Sequence, residues 1–342
     1  MTFTRAARNS GTGWKARRFL LQMDPSSPRQ EEKLEAAVRA AWLYYVAGNT
    51  QHEIAQKLKI SRPTAQRLVA LAVERGLVKV RVYHKVASCL ELAIALRQRY
   101  NLLVCNVVPV NVDSGDQVLR KIAVAAAQVM ESYVSEVDPK VIALGSGQTI
   151  KAVVGELNNF ERPHHRVLSL VGAIGRDGAS NPYDVALQAA EKIGSKCFLL
   201  PAPLLADSTE ERKQWCRHRL YKVVEELSTK ADVAFVGIGD IGEGCPLYRD
   251  GFITGEEVIE LIGAGAAGEH VGWAYDEKGE PVHAAVQERV TSIQLPRPLR
   301  KPVIAFAGGE HKSKAVLGAL RGHWINGLVT DEICARAVLA AE

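Results

Sequence analysis

Seven short apolar runs between residues 103 and 329 constrain this chain more than any other feature. They fall at 103–110, 141–144, 167–171, 198–200, 233–236, 303–306 and 325–329, and are rich in Val, Ile and Leu. Most are continuous rather than alternating, which is how strands buried on both faces of a parallel sheet read. Helical patterns fill the gaps, at about 116–134, 149–157, 183–193, 209–227, 256–262, 312–320 and 331–341. Strand–helix alternation of this kind predicts an α/β fold with a doubly wound, mostly parallel sheet. At 342 residues the chain has room for a second domain.

The stretch 49–83 predicts that second domain. Gln51, His52 and Glu53 open a short helix that turns Ile54, Ala55 and Leu58 inward. Lys59 and Ile60 make a turn. Ser61 then caps a second helix running to about Arg75, with Pro63 tolerated in its first turn. Ala65, Leu68, Val69, Ala72 and Val73 share one face at 3–4 spacing. Arg62, Gln66, Arg67 and Ala70 share the other, which is narrow, polar and basic. A recognition helix entering a DNA major groove needs that form, and Arg and Gln suit the edges of G and A. Gly76 stands where a left-handed helix cap belongs. In 77–83, Val78, Val80 and Val82 alternate with Lys79 and Arg81, as in the strand of a basic wing. A third helix at 29–47, with Leu34, Val38, Ala41, Trp42 and Tyr45 at helical spacing, completes a small core. Residues 84–90 read as a joint and 90–100 as a further helix. Lys59 holds a turn position often given to glycine; a left-handed backbone there costs lysine roughly 1 kcal/mol.

Charge divides the same way. Residues 1–85 carry 16 Lys and Arg against 6 Asp and Glu, whereas residues 86–342 carry 27 against 32. A basic front on an acidic body is expected where only the front meets a polyanion. Residues 1–28 read as a disordered basic tail or an arm that touches DNA. The six cysteines form no C-x-x-C pair and stand apart from any His cluster, so neither a zinc site nor a disulfide framework is expected. Cys216 with His218 is the nearest approach to a metal pair. No apolar run is long enough for a membrane span and no signal peptide is evident, so a cytoplasmic protein is expected.

Ligands of open α/β sheets sit beyond the carboxyl ends of strands. Three such ends are glycine-rich: Gly145-Ser146-Gly147-Gln148-Thr149, Gly237-Ile238-Gly239-Asp240, and Ala307-Gly308-Gly309-Glu310-His311-Lys312. The first opens a helix, so its free N–H groups and its Ser and Thr hydroxyls suit a sugar hydroxyl or a phosphate. It is neither a dinucleotide fingerprint nor a Walker loop. Lys312 is expected in the first turn of a helix, where the macrodipole disfavours cations, so an anionic partner accounts for it better than stability does. Asp240, Glu269, Asp276 and Asn181 are further polar candidates in loops, Asp276 more as a turn former than as a contact.

The two halves together resemble the SorC-type, DeoR-related, sugar-binding transcriptional regulators of bacteria. At the front the resemblance rests on Ile54-Ala55, Leu58-Lys59-Ile60-Ser61-Arg62-Pro63-Thr64, Arg67-Leu68 and Glu74-Arg75-Gly76-Leu77-Val78. In the body it rests on the three loops above and on Leu328-Val329-Thr330-Asp331-Glu332. It covers nearly everything from Glu31 to Ala341. It implies a winged helix-turn-helix at 29–85, an effector domain at 90–342 related to sugar-phosphate isomerases and deaminases, and a dimer or tetramer. It also implies a double-stranded DNA operator and a sugar, polyol or sugar-phosphate effector as partners. DNA contacts are expected from Gln51, Ser61, Arg62, Pro63, Thr64, Gln66, Arg67, Lys79 and Arg81. Effector contacts are expected from Gly145, Ser146, Gly147, Gln148, Thr149, Gly237, Gly239, Asp240, Glu269 and Lys312. No cofactor, metal or catalytic residue is expected. The alternative is an isomerase-like or deaminase-like enzyme with an accessory domain, but Asp240 and His311 do not stand in the spacing of an acid–base pair. Some members that bind phosphorylated sugars have an arginine in the loop after the third sheet strand. Here Val171-Gly172-Ala173-Ile174-Gly175 offers no basic side chain before Arg176, which favours a neutral sugar or polyol.

Overall fold

The computed structural model describes residues 28–78, 85–110, 115–175, 178–181, 183 and 185–341. The chain divides into two compact units between Tyr83 and His84. The first holds helices α1 (Pro28–Tyr45), α2 (Gln51–Lys57) and α3 (Arg62–Glu74). Thr50 and Glu53 form a capping box at the start of α2: the Thr50 hydroxyl accepts from the Glu53 amide, and the Glu53 carboxylate accepts from the Thr50 amide at 2.7 Å. Ser61 caps α3 by accepting from the Thr64 amide. Lys59 is left-handed, with φ 53°, and so is Gly76, with φ 66°.

The core of this unit is Ala37, Ala40 and Ala41 on α1 against Ile54, Ala55, Ala65, Leu68, Val69 and Ala72. Alanine removes the bulk that would hold α1 and α3 apart, so α1 turns its alanine stripe inward. Of the expected α1 core, Ala41 is buried, but Val38, Trp42 and Tyr45 are 43%, 55% and 42% exposed. On α3, Val73 is 45% exposed. The expected wing strand lies mostly outside the described residues, with Lys79 and Arg81 among those not described. So does the expected tail, up to residue 27.

The second unit opens with α4 (Lys85–Tyr100), a helix that takes in most of the expected joint. The order is then β1 (Val104–Val108), α5 (Gly115–Val134), β2 (Val141–Leu144), α6 (Gln148–Glu156), β3 (Arg166–Ile174), α7 (Ala186–Ile193) and β4 (Lys196–Pro203). There follow α8 (Thr209–Arg217), α9 (Arg219–Thr229), β5 (Val233–Gly237), β6 (Gly239–Asp240), α10 (Pro246–Arg249) and α11 (Gly255–Gly263). The chain closes with β7 (Ala266–His270), β8 (Trp273–Asp276), β9 (Val303–Phe306), α12 (Ser313–Arg321), β10 (Gly327–Asp331) and α13 (Glu332–Ala340). His218, extended in backbone, breaks the single helix expected over 209–227, and its ring Nδ1 accepts from the Leu220 amide; among the described residues no cluster of three or more His, Cys, Asp or Glu includes it with Cys216.

All seven expected strands form one parallel sheet, in the order β1-β10-β9-β5-β2-β3-β4. Successive residues point to opposite faces. Ile142, Leu144 and Phe235 join Ile122, Met130, Val153 and Ile193 from α5, α6 and α7 on one face. Ala143, Ala234 and Val236 join Leu96, Tyr221, Val224 and Val338 from α4, α9 and α13 on the other. Burying each large side chain contributes about 1.5–3 kcal/mol, so continuous apolar strands stay central. A second sheet, β6-β7-β8, is antiparallel. The sequence did not announce it.

Candidate functional site

The three glycine-rich loops follow β2, β5 and β9, and these strands are neighbours in the sheet. They meet at a cavity of about 390 Å³ whose far wall comes from β6, β7 and the turn after it. Ser146, Gly147, Gln148, Thr149, Gly237, Gly239, Glu269 and Lys312 line it. Two expected residues do not. Gly145 joins β2 to β5 through its amide, 2.8 Å from the Phe235 carbonyl, and a side chain there would press on Val236. Asp240 stands behind the wall, half-buried on β6.

Gly147 precedes α6 without a side-chain cap, so the opening N–H groups of that nine-residue helix face the cavity region uncapped. Lys312 ends the short 3₁₀ turn Glu310–Lys312 and stands at the N-cap position of α12, one residue ahead of its first turn, without a side-chain capping bond. Its Nζ donates to the Ile238 carbonyl at 2.9 Å. Burial holds Lys312 below the ordinary lysine value, and the carboxylates of Asp240 and Glu269 oppose that shift. The net shift is downward, so these two carboxylates offset only part of the cost of burying the ammonium. Glu269 shows the reverse. Burial raises its carboxyl, while the Gly272 amide, which donates to Oε2 at 2.8 Å, and Lys312 pull it down; Asp240 pushes it up again. Gly239 is required opposite: a Cβ there would lie 2.2 Å from Glu269 Oε1.

The remaining polar candidates are structural. Asn181 is buried, donating to the Gly172 carbonyl and accepting from the Tyr183 amide. Asp276 Oδ1 accepts from the amides of Lys278 and Glu280, as a turn former does. Asp331 is fully buried; its Oδ1 accepts from the amides of Ile333 and Cys334 at the start of α13, and Oδ2 accepts from Gly309. Asp331 thus anchors the β9 loop. A Cβ on Gly308 would fall 2.3 Å from both Asp331 Oδ2 and Ile122 Cδ1. Gly308→Ala is expected to cost about 1–3 kcal/mol of stability in urea denaturation, as other overpacked sites do. An unchanged midpoint would mean that the loop moves freely.

Sequence reasoning missed Tyr183, Asp250, Phe252, Val271 and the α5 residues Val118, Leu119 and Ile122, all in the cavity wall. Asp250 sits in Arg249-Asp250-Gly251, which reads only as a turn. Val118 and Ile122 read as ordinary core of an amphipathic helix.

In the first unit, Arg62, Gln66 and Arg67 are exposed along one side of α3 and have no partner among the described residues. Ser61 and Thr64 share a hydroxyl contact of 2.8 Å at the helix start, and Pro63 occupies its first turn. Gln51 is half-buried at the start of α2.

The fold and these two surfaces define a class: a helix-turn-helix unit joined to an α/β domain with a cavity of mixed polar and aliphatic lining at its strand ends. The family model described as "Putative sugar-binding domain" matches residues 84–340, and a MarR family model matches 41–82. The erythritol catabolism regulatory protein EryD of Brucella abortus is 33% identical over 305 residues, covering 89% of this chain and 96% of that one. The transcriptional regulator LsrR of Enterobacter sp. strain 638 is 31% identical over 91% and 94%. The full-length sorbitol operon regulator SorC of Klebsiella pneumoniae superposes with a TM-score of 0.65 at 26% identity, covering 90% of this chain and 99% of that structure. The chain belongs to the SorC-type sugar-binding transcriptional regulators and is a DNA-binding regulator of carbohydrate catabolism.

Proposed function

We propose that this regulator changes its operator affinity when a small sugar or polyol occupies the cavity beneath β2, β5 and β9. The observation that carries this reading is the convergence of three strand-end loops and Glu269 on one cavity of about 390 Å³. The polar side, with Ser146, Gln148, Thr149, Glu269 and Lys312, offers donors and acceptors for several hydroxyls. The aliphatic side, with Leu119, Ile122 and Ile238, suits C–H edges. The names of relatives, one of them a regulator of erythritol catabolism, agree with a carbohydrate or polyol effector. Gly147, Gly237 and Gly239 let the backbone approach the ligand. Among the described residues, two carboxylates in the wall, Asp250 and Glu269, against one lysine favour a neutral effector over a phosphorylated one.

The face with Arg62, Gln66 and Arg67 reads the operator, with Ser61, Pro63, Thr64 and Gln51 setting the helix start. Two copies on symmetric half-sites extend the short reading of one helix, so the working form is a homo-oligomer. Effector binding must favour one arrangement of the oligomer over another, or it changes nothing. The protein acts in the cytoplasm, where the DNA is; among the described residues no helix is long and apolar enough to cross a membrane. The named relatives are regulators, and no catalytic step belongs to this reading.

Gel retardation with fragments from beside its own gene tests this. Retardation at low salt is expected, changed by erythritol, sorbitol or a related polyol, with no turnover of sugar phosphates. Retardation of no fragment would end the regulator reading, and insensitivity to every sugar, polyol and phosphate tried would end the effector reading.

A further inference from the structure

The hairpin that carries Glu269 has an unusual turn. His270 pairs with Trp273, so Val271 and Gly272 form a two-residue loop, and their φ values are 56° and 82°. Both are left-handed, the requirement of a type I′ turn, for which Asn-Gly is a preferred pair. A β-branched residue in that region is an outlier. Something beyond local preference must hold this turn closed.

Gln287 meets it from outside. It sits on the short 3₁₀ segment Ala285–Arg289. Its Nε2 donates to the Gly272 carbonyl at 3.2 Å, and its Oε1 accepts from the Ala274 amide at 2.8 Å. One amide side chain therefore straddles the turn. The segment behind it is fixed: Arg289 pairs with Glu257 and donates to the Ala206 carbonyl, and the Ala285 amide donates to Glu260 at 2.6 Å. On its other side, the Gly272 amide donates to Glu269 Oε2 at 2.8 Å. Gln287 does not line the cavity; Val271, Gly272 and Glu269 do.

We propose that Gln287 is a positioning residue for the effector cavity: by pinning the Val271–Gly272 turn it holds the Gly272 amide on Glu269, and so aims that carboxylate at the ligand. The proposal rests on the reading of this cavity as the effector site. Three titratable groups bear on Glu269: Lys312 at the start of α12, Asp240 on β6 and Tyr275 on β8. None changes when Gln287 is replaced, so a shift in Glu269 titration reports the lost Gly272 bond.

The test uses full-length protein labelled at glycine and alanine amides, without effector. Gln287→Ala is expected to speed exchange of both the Gly272 and Ala274 amides roughly tenfold. It should raise the midpoint of Glu269 titration, read on the Gly272 amide, by about one pH unit, because the bond favours the charged carboxylate. Val271→Asn placed in the Gln287→Ala protein should restore Gly272 protection and the midpoint, since Asn-Gly closes the turn unaided. Gln287→Met, which keeps the volume and drops both bonds, replaces the alanine variant if that one does not fold. If only Ala274 exchange quickens, with Gly272 and the midpoint unmoved, Gln287 merely seals the end of β8 and the proposal is overturned. Calorimetry with erythritol and sorbitol forms a separate arm, in which Gln287→Ala should weaken binding about tenfold. If neither polyol binds the parent protein, the effector reading loses support, while exchange and titration still decide the role of Gln287.

Discussion

Replacing Lys312 with methionine is expected to weaken effector control sharply while leaving operator binding in place. Among the described residues Lys312 is the one lysine or arginine lining the cavity, and its Nζ is already within 2.9 Å of the Ile238 carbonyl. Among the described residues no carboxylate forms an ion pair with it, yet Asp240 and Glu269 both bear on its charge. Methionine keeps most of the stem and removes the charge. Glu269 and Asp240 then repel each other uncompensated, and Glu269 takes up a proton at higher pH. A hydrogen bond to a charged group contributes about 1.5–3 kcal/mol, so effector affinity should fall roughly 10- to 100-fold. The measurement is gel retardation across an effector titration, with operator affinity without effector as the control. Wild-type response from Lys312→Met would remove this lysine from the mechanism.

Replacing both Arg62 and Arg67 with alanine is expected to do the opposite. Both arginines are exposed, free of partners among the described residues, and set on the polar side of α3, whose buried side is Ala65, Leu68, Val69 and Ala72. Their loss removes no folding contact, so the melting temperature should hold. Each arginine that reads a base edge is worth about 1–3 kcal/mol of discrimination, and each phosphate contact adds close to one unit of salt slope. The double variant should lose operator affinity by roughly two to four decades. Single variants assayed against altered operators, and across salt, separate base reading from phosphate contact. Effector binding, measured by thermal shift, should be unchanged. A loss below threefold would mean that another face of the first unit meets the DNA.

The seven parallel strands, the loops after β2, β5 and β9 and the polar face of α3 were all legible in the residues. Continuous Val, Ile and Leu runs leave little choice but a doubly covered sheet. Ser61, Pro63 and Gly76 mark helix ends by backbone chemistry alone. The capping box of Thr50 and Glu53 is equally readable from its spacing. The small antiparallel sheet was not legible. Its central strand is Ala266-Ala267-Gly268-Glu269-His270, made of residues mostly depleted in strands and lacking an apolar alternation. It becomes a strand because β6 and β8 pair with it and α12 packs on it, which are non-local causes.

Local chemistry in the sequence therefore settled which segments become helices and strands of the main sheet, and which loops are rich enough in glycine to admit a ligand. Only the tertiary structure decided that β9, β5 and β2 lie side by side, so that three loops far apart in the chain share one cavity. It also decided that Glu269 faces inward from β7, that Lys312 turns to the Ile238 carbonyl, and that α1 buries alanines and leaves Trp42 outside. The physical reason is the same in each case: these positions depend on which surfaces exclude water together, and that depends on partners remote in sequence.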